Sequence, residues 1–241
     1  MSFTTWTPPA LAAEARRQTL QLWRAVEAQH RVSTRRLVDT LAEQALLEDL
    51  LDASKPPLPA QAAQLHYLLA TPFRYPPTQY GSRFRAVGDP GVWYGSDKLA
   101  TACAELGYWR CRFVADSAGL TRLDGVAHTL FRAKAKGQCV DLRAAAFAAD
   151  TASWMHPSNY DRCQQLARQA RLAKLAVIRY ASVREPAHGG CAAVLEPQAF
   201  AGDDVISETQ TWFLSVDAHL ATWIPSGAAH KAPTALEFRY A

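Results

Sequence analysis

The stretch that most constrains the fold of this 241-residue chain runs from Arg74 to Arg110. Gly81, Gly88, Gly91 and Gly95 interrupt it, with Pro90 beside them. Glycine and proline at that density mark turns between short strands, and Asp89 falls in one such turn. Val92-Trp93-Tyr94 is β-branched and aromatic, which predicts a short strand. Gly95-Ser96-Asp97 breaks it. Ser96 suits a helix N-cap, and Asp97 sits where a helix dipole favours negative charge. Leu99, Ala102, Cys103 and Leu106 follow at the spacing of one helix face. Glu105 falls beside that face. The spacing therefore puts it at the rim of a cleft, half desolvated, with Trp109 one turn on.

The same stretch carries Arg74, Arg83, Arg85 and Arg110, with Tyr75, Tyr80, Tyr94 and Tyr108. Arginine binds phosphate through a bidentate fork. Tyrosine stacks on rings and donates one hydrogen bond. A carboxylate at a cleft rim polarises a ribose hydroxyl or stabilises a cationic sugar transition state. Together these groups suit a dinucleotide with a pyrophosphate and a labile N-glycosidic bond. On spacing alone, with no sharp motif, they more readily suit the surface arginines and core aromatics of an ordinary domain.

Composition narrows the class. At 49% hydrophobic and 20% charged, the chain reads as a globular protein of one large domain or a domain plus an extension. The net charge of +4 is mostly arginine spread along the chain without a basic run, so an anionic small molecule explains it more simply than nucleic acid. The five cysteines are odd in number and lack a Cys-x-x-Cys pair, which predicts reduced thiols, with neither a disulfide framework nor a zinc site. The seven histidines are scattered without metal-ligand spacing. The N-terminus has no basic region followed by an apolar core, and no apolar run reaches transmembrane length. A cytoplasmic protein is expected.

In chain order, residues 9 to 53 read as helical. Pro9 opens a helix running to about Gln29, and Ser33 or Thr34 caps a second one, on which Leu37, Leu41, Leu47 and Leu51 form a stripe expected to pack on the body. Ser54 to Ala60 is a proline-rich linker. Residues 1–59 are thus expected to be a helical extension plus linker, and residues 60–241 the main domain. A short helix is expected near 60–69, a strand within 121–135, and a helix over 159–173 with Tyr160, Cys163, Leu166, Ala167 and Ala170 on one face. Leu175–Tyr180 and Cys191–Leu195 read as buried strands joined through a turn at His188-Gly-Gly190, and Trp212–Leu214 as one more. Ser182 at a strand end suits bonding its own backbone as well as it suits a site, whereas Arg184 reads as an exposed ion pair, Tyr160 as core and His188 as a turn residue.

Several of these segments, taken in order, resemble the RES domain. They are Arg74-Tyr75, Gly81-Ser82-Arg83-Phe84, Gly91-Val92-Trp93-Tyr94 and Ala102-Cys103-Ala104-Glu105, followed by Tyr160…Gln164-Gln165-Leu166-Ala167 and Ile178 to Arg184. The resemblance covers about residues 70 to 200. The family is named for an arginine, a glutamate and a serine, and comprises NAD-consuming toxins of bacterial toxin–antitoxin pairs. It implies an α+β fold like that of ADP-ribosyltransferases, a split, mostly antiparallel sheet with flanking helices, here preceded by the helical extension. It implies cleavage of the nicotinamide–ribose bond, with ADP-ribose passing to water, phosphate or a protein.

Carried over by position, Glu105 faces the nicotinamide ribose, Arg74 and Arg83 hold phosphate, Tyr75 and Tyr94 line the nicotinamide end, and Ser182 completes the site; Arg85 competes with Arg83. NAD is then a substrate, and no cofactor or metal is implied. The expected partner is a cognate Xre-type antitoxin, with a homo-oligomer left open and no membrane or direct nucleic-acid contact. Two readings compete: a non-catalytic nucleotide- or antitoxin-binding module of the same fold, and a nucleic-acid binder using its arginines.

Overall fold

A computed structural model describes residues 6–28, 37–75, 79–202, 205–227 and 235–240. Its architecture turns on one long strand. The eight strands are β1 (Arg16–Glu27), β2 (Trp93–Ser96), β3 (Arg122–Asp141), β4 (Val177–Ala181), β5 (Gly190–Val194), β6 (Ile206–Asp217), β7 (Leu220–Pro225) and β8 (Leu236–Arg239). They form a sheet in the order β1-β2-β5-β4-β3-β6-β7-β8, with a further β1–β3 pairing. One edge of β3 pairs with β1 from His128 to Cys139. The other edge pairs first with β6, up to Ala133, and then with β4 from Cys139 onward. The sheet therefore splits along β3 into a β4-β5-β2 arm and a β6-β7-β8 arm. Among the described residues only the β3–β4 pairing is parallel. The split, mostly antiparallel sheet with flanking helices is the architecture expected from the sequence.

Six α-helices are described: α1 (Pro8–Glu14), α2 (Leu41–Ala53), α3 (Tyr67–Arg74), α4 (Leu99–Asp116), α5 (Thr151–Trp154) and α6 (Asp161–Leu172). Their apolar faces complete three core clusters. Leu11 of α1 and Cys163, Leu166, Ala167 and Ala170 of α6 pack on Ile178, Tyr180 and Ala193 of the β4-β5 arm. Leu69, Ala70 and Phe73 of α3 pack with Trp93, Phe131 and Phe200. Cys103, Cys111 and Val114 of α4 meet Trp212, Leu214 and Trp223 of the other arm. Each large side chain removed from water in this way contributes about 1.5–3 kcal/mol. Because α4 shares contacts with β1, β2, β6 and β7, it crosses the split and is held from both arms.

Three expectations for the N-terminal half are corrected. Helix runs only from Pro8 to Glu14, capped by the Thr7 side chain, and the stretch expected to continue it is strand β1. Leu20 and Leu22 of β1 are buried between exposed Thr19 and Gln21, a period of two, and twelve residues of β1 register against β3. Those long-range backbone pairs override the helix-forming residues of the segment. So the helical extension preceding the domain is not found as such. The second helix exists, but its expected cap, Ser33 or Thr34, lies outside the described residues. Within them Thr40 and Glu43 close a capping box at its start. The expected docking of the leucine stripe is absent: Leu37 is 76% exposed, Leu41 74% and Leu51 46%, with Leu47 half-buried. Finally, Ser96 is not a helix cap. It is the buried last residue of β2, because Asp97 N–H donates to the Gly190 carbonyl (2.8 Å) and prolongs the β2–β5 ladder, so that α4 starts after Lys98.

Candidate active site

Where α4 passes the ends of β1, β2, β4 and β5, a cavity of about 380 Å³ opens, large enough for a small-molecule ligand. Its wall includes Arg24, Arg83, Tyr94, Glu105, Tyr160 and Arg184. Glu105 is placed there by helical spacing: Cys103 and Ala104 are buried in the core, and the next side chain turns to the rim beside Trp109.

Ser182 follows β4 and is fully buried. Its hydroxyl donates to Glu105 Oε1 at 2.5 Å and accepts from the backbone N–H groups of Arg184 (3.1 Å) and Glu185 (3.0 Å). The backbone-bonding role and the site role thus coincide in one side chain. The turn that carries Ser182 is tied to α4 by Glu185, whose buried carboxylate accepts from Thr101 Oγ1 (2.9 Å) and from Gly189 N–H (2.8 Å). Only glycine fits at 189, since a Cβ there would collide with Glu185 and Thr101. Burial pushes the Glu105 carboxyl above its ordinary value; the Ser182 hydrogen bond and the Arg83 and Arg184 charges oppose that rise, and the Glu185 charge adds to it.

The aromatic and cationic groups are equally fixed. Tyr94 Oη lies 2.7 Å from Ser82 Oγ and accepts from Phe84 N–H at 3.0 Å, so it holds the turn that presents Arg83. Burial raises the Tyr94 phenol, leaving it a neutral hydrogen-bonding group. Arg83 donates to the carbonyls of Trp154 (2.9 Å) and His156 (3.0 Å) and sits over the Tyr160 ring at 4.6 Å. Arg184 lies over the Tyr108 ring at 3.6 Å and donates to Tyr160 Oη at 3.1 Å. Arg24 donates to the Tyr94 carbonyl at 2.7 Å, while its Nε is buried with no partner among the described residues; burial pushes this guanidinium down to about 10. An unpartnered donor at a cavity wall is a group that a ligand oxygen can satisfy.

Of the residues singled out from the sequence, the structure gathers Glu105, Tyr94, Ser182 and Arg83 around this cavity or against its carboxylate. It does not bring Arg74, Tyr75 or Arg85 there. Arg74 ends α3 and donates to the Pro56 carbonyl (2.6 Å), whereas Arg85 donates to the carbonyl of the exposed Tyr75 (3.2 Å). The cavity instead takes Trp23 and Arg24 from β1, and Tyr160 and Arg184, read from sequence as core and surface. The alternation of Leu20 and Leu22 was the available signal for β1. Nothing in the local sequence signals that Arg184 folds back onto Tyr108. Among the described residues no group of histidine, cysteine, aspartate and glutamate is arranged to hold a metal ion, and no helix is long and apolar enough to cross a membrane.

The RES domain model matches residues 58–217, and the chain belongs to the RES domain family. Among solved structures, a chain in the crystal structure of the M. tuberculosis MbcT–MbcA toxin–antitoxin complex is similar, with 11% identity, 87% of this chain and 90% of that chain covered, and a TM-score of 0.49. No curated protein matches. Trp23 and Arg24 fall outside the matched span although they line the cavity.

Proposed function

We propose that this protein consumes NAD by cleaving its nicotinamide–ribose bond, and that it acts as the toxin of a toxin–antitoxin pair with an Xre-type antitoxin as its partner. The observation that carries the reading is the buried Ser182–Glu105 hydrogen bond in a cavity that also presents Arg24, Arg83 and Arg184. Nicotinamide leaves as a neutral ring, taking the bonding pair of the C1′–N bond. The sugar left behind carries oxocarbenium character, which a fixed carboxylate stabilises electrostatically. Ser182 holds Glu105 in place by donating to one oxygen, so little reorganisation is needed as charge develops. The arginines answer the two negative charges of the pyrophosphate, and Tyr94 and Tyr160 supply ring faces. Holding both ends of the dinucleotide fixes the scissile bond against the carboxylate. Water, phosphate or a protein side chain then captures the sugar, giving ADP-ribose or its adduct.

The test is to incubate purified protein with NAD, with and without phosphate, and separate the products. Free nicotinamide at a rate proportional to protein supports the reading, and the acceptor follows from the second product. NAD recovered intact, while the protein binds it, overturns catalysis.

A further inference from the structure

We infer that the exposed face of the β1–β3 ladder around Arg17, Thr19 and Gln21 is a docking surface for the sugar–phosphate backbone of a nucleic acid. The register sets Arg17 opposite Gln138, Thr19 opposite Lys136 and Gln21 opposite Lys134. Residues opposite one another in an antiparallel pair share a face, and all six of these are exposed or half-exposed. Beyond the ladder, Lys174 stands in a left-handed turn (φ 55°) at the end of α6. Arg17, Lys136 and Lys174 line one open groove of about 470 Å³, together with Gln138, Gln198, Arg171 and Glu196.

The charge of this groove is unbalanced. Its one acid, Glu196, lies 3.8 Å from Arg171, and that arginine is otherwise spent on the backbone carbonyls of Leu195 and Gly91. Arg17, Lys134, Lys136 and Lys174 form no ion pair among the described residues, whereas Arg132, Arg143 and Arg179 do. Three uncompensated cations, Arg17, Lys136 and Lys174, therefore line the groove, and Lys134 shares the strand face of Lys136 beside it. Lys134 and Lys136 are two residues apart on one strand, and Arg17 is a diagonal neighbour of Lys136 across the ladder, so the cations run in a row at roughly 7 Å intervals. A row suits a linear polyanion, where a single phosphate would need a convergent cradle. The neutral members, Thr19, Gln21, Gln138 and Gln198, donate to phosphate oxygens, and the groove has no aromatic ring on which a base could stack, so contact is with the backbone and tolerant of sequence. The expectation of no direct nucleic-acid contact came from the lack of a basic run; in a strand, cations that share a face are separated in sequence by residues of the other face.

The groove shares no residue with the cavity around Glu105, so the inference stands or falls apart from the NAD reading. It is tested on the full chain by fluorescence anisotropy with a labelled 20-mer duplex DNA and a labelled single-stranded RNA of mixed sequence, from 20 to 200 mM KCl. Binding should be weak, with Kd in the range of about 10⁻⁴–10⁻⁶ M, and the logarithm of the association constant should fall with log salt at a slope of about −3, for three to four phosphate contacts. The combined variant Arg17→Gln, Lys136→Gln, Lys174→Asn should weaken binding at least about tenfold and flatten the slope by about 2–3, asparagine being chosen because it tolerates a left-handed backbone. Lys136→Arg should retain affinity. If the combined variant does not fold, Lys136→Gln alone, at an exposed position, carries the test through a smaller slope change. Absence of binding at 20 mM KCl, or unchanged affinity in a folded variant, overturns the inference. Displacement by polyaspartate as efficient as by nucleic acid overturns it in favour of an acidic protein partner.

Discussion

Ser182 Oγ and Glu105 Oε1 lie 2.5 Å apart, although the two residues are 77 positions apart in sequence. The hydroxyl reaches the carboxylate because the turn after β4 and the first turns of α4 are joined by Glu185, Thr101 and Gly189. Glu105 is consequently a carboxylate kept in a desolvated position by a rigid frame, and its replacement should affect activity and stability in opposite directions.

Glu105→Gln preserves shape and removes the charge. NAD turnover should fall by roughly a hundredfold or more, as for other preorganised electrostatic groups. Stability should rise. The folded pKa of Glu105 lies above its ordinary 4.5, so the native state binds the extra proton. Stability on this account decreases as pH rises from 4.5 through the raised folded value, and above it the ionised carboxylate destabilises the fold. A melting curve at pH 7.5 should therefore show a higher Tm for the variant, and one near pH 4 little difference. A folded Glu105→Gln protein with near wild-type turnover removes Glu105 from the mechanism.

The acidic limb of the pH–rate profile should report the same group, because the carboxylate must be ionised. Ser182→Ala removes a hydrogen bond that lowers the Glu105 pKa, so the limb should move to higher pH. The variant also strands the N–H groups of Arg184 and Glu185, which should cost about 1–3 kcal/mol of stability. A limb that stays in place, measured well below the lowered Tm, would show that the hydroxyl serves the fold alone.

Among the arginines, cavity geometry predicts an order. Arg24→Ala and Arg83→Ala should each lower kcat/KM for NAD by tenfold or more, at about 1.5–3 kcal/mol for a charged hydrogen bond. Arg74→Ala should stay within about twofold of wild type, the range of substitutions away from a site. Steady-state kinetics on the three variants decides it; a large loss at Arg74 with none at Arg24 would return the site to the position inferred from sequence.

The two N-terminal elements should behave differently. Removing residues 1–28 deletes a strand that registers with β3 over twelve residues, and the remaining chain should fail to give a cooperative melt. Changing Leu41, Leu46 and Leu50 to Gln should leave Tm within about 2 °C, because exposed leucines contribute little burial. Loss of the melt in the leucine variant would mean that α2 packs somewhere in solution.

What the sequence determined by itself was local. Turn residues and aromatic clustering located β2, four apolar positions at helical spacing located α4, and that spacing alone placed Glu105 at a rim. The buried face of α6 and the strands β4 and β5 were legible for the same reason: their signal lies within a few residues. The tertiary structure decided whatever depended on distant partners. Arg16 to Glu27 holds good helix formers and becomes strand because β3 supplies a ladder for it, which in turn delivers Arg24 to the cavity and withholds Arg74. Arg184 joins the site because Tyr108, a helix away, offers a ring face. Local propensities are worth a few tenths of a kcal/mol per residue, and a twelve-residue ladder with buried leucines outweighs their sum.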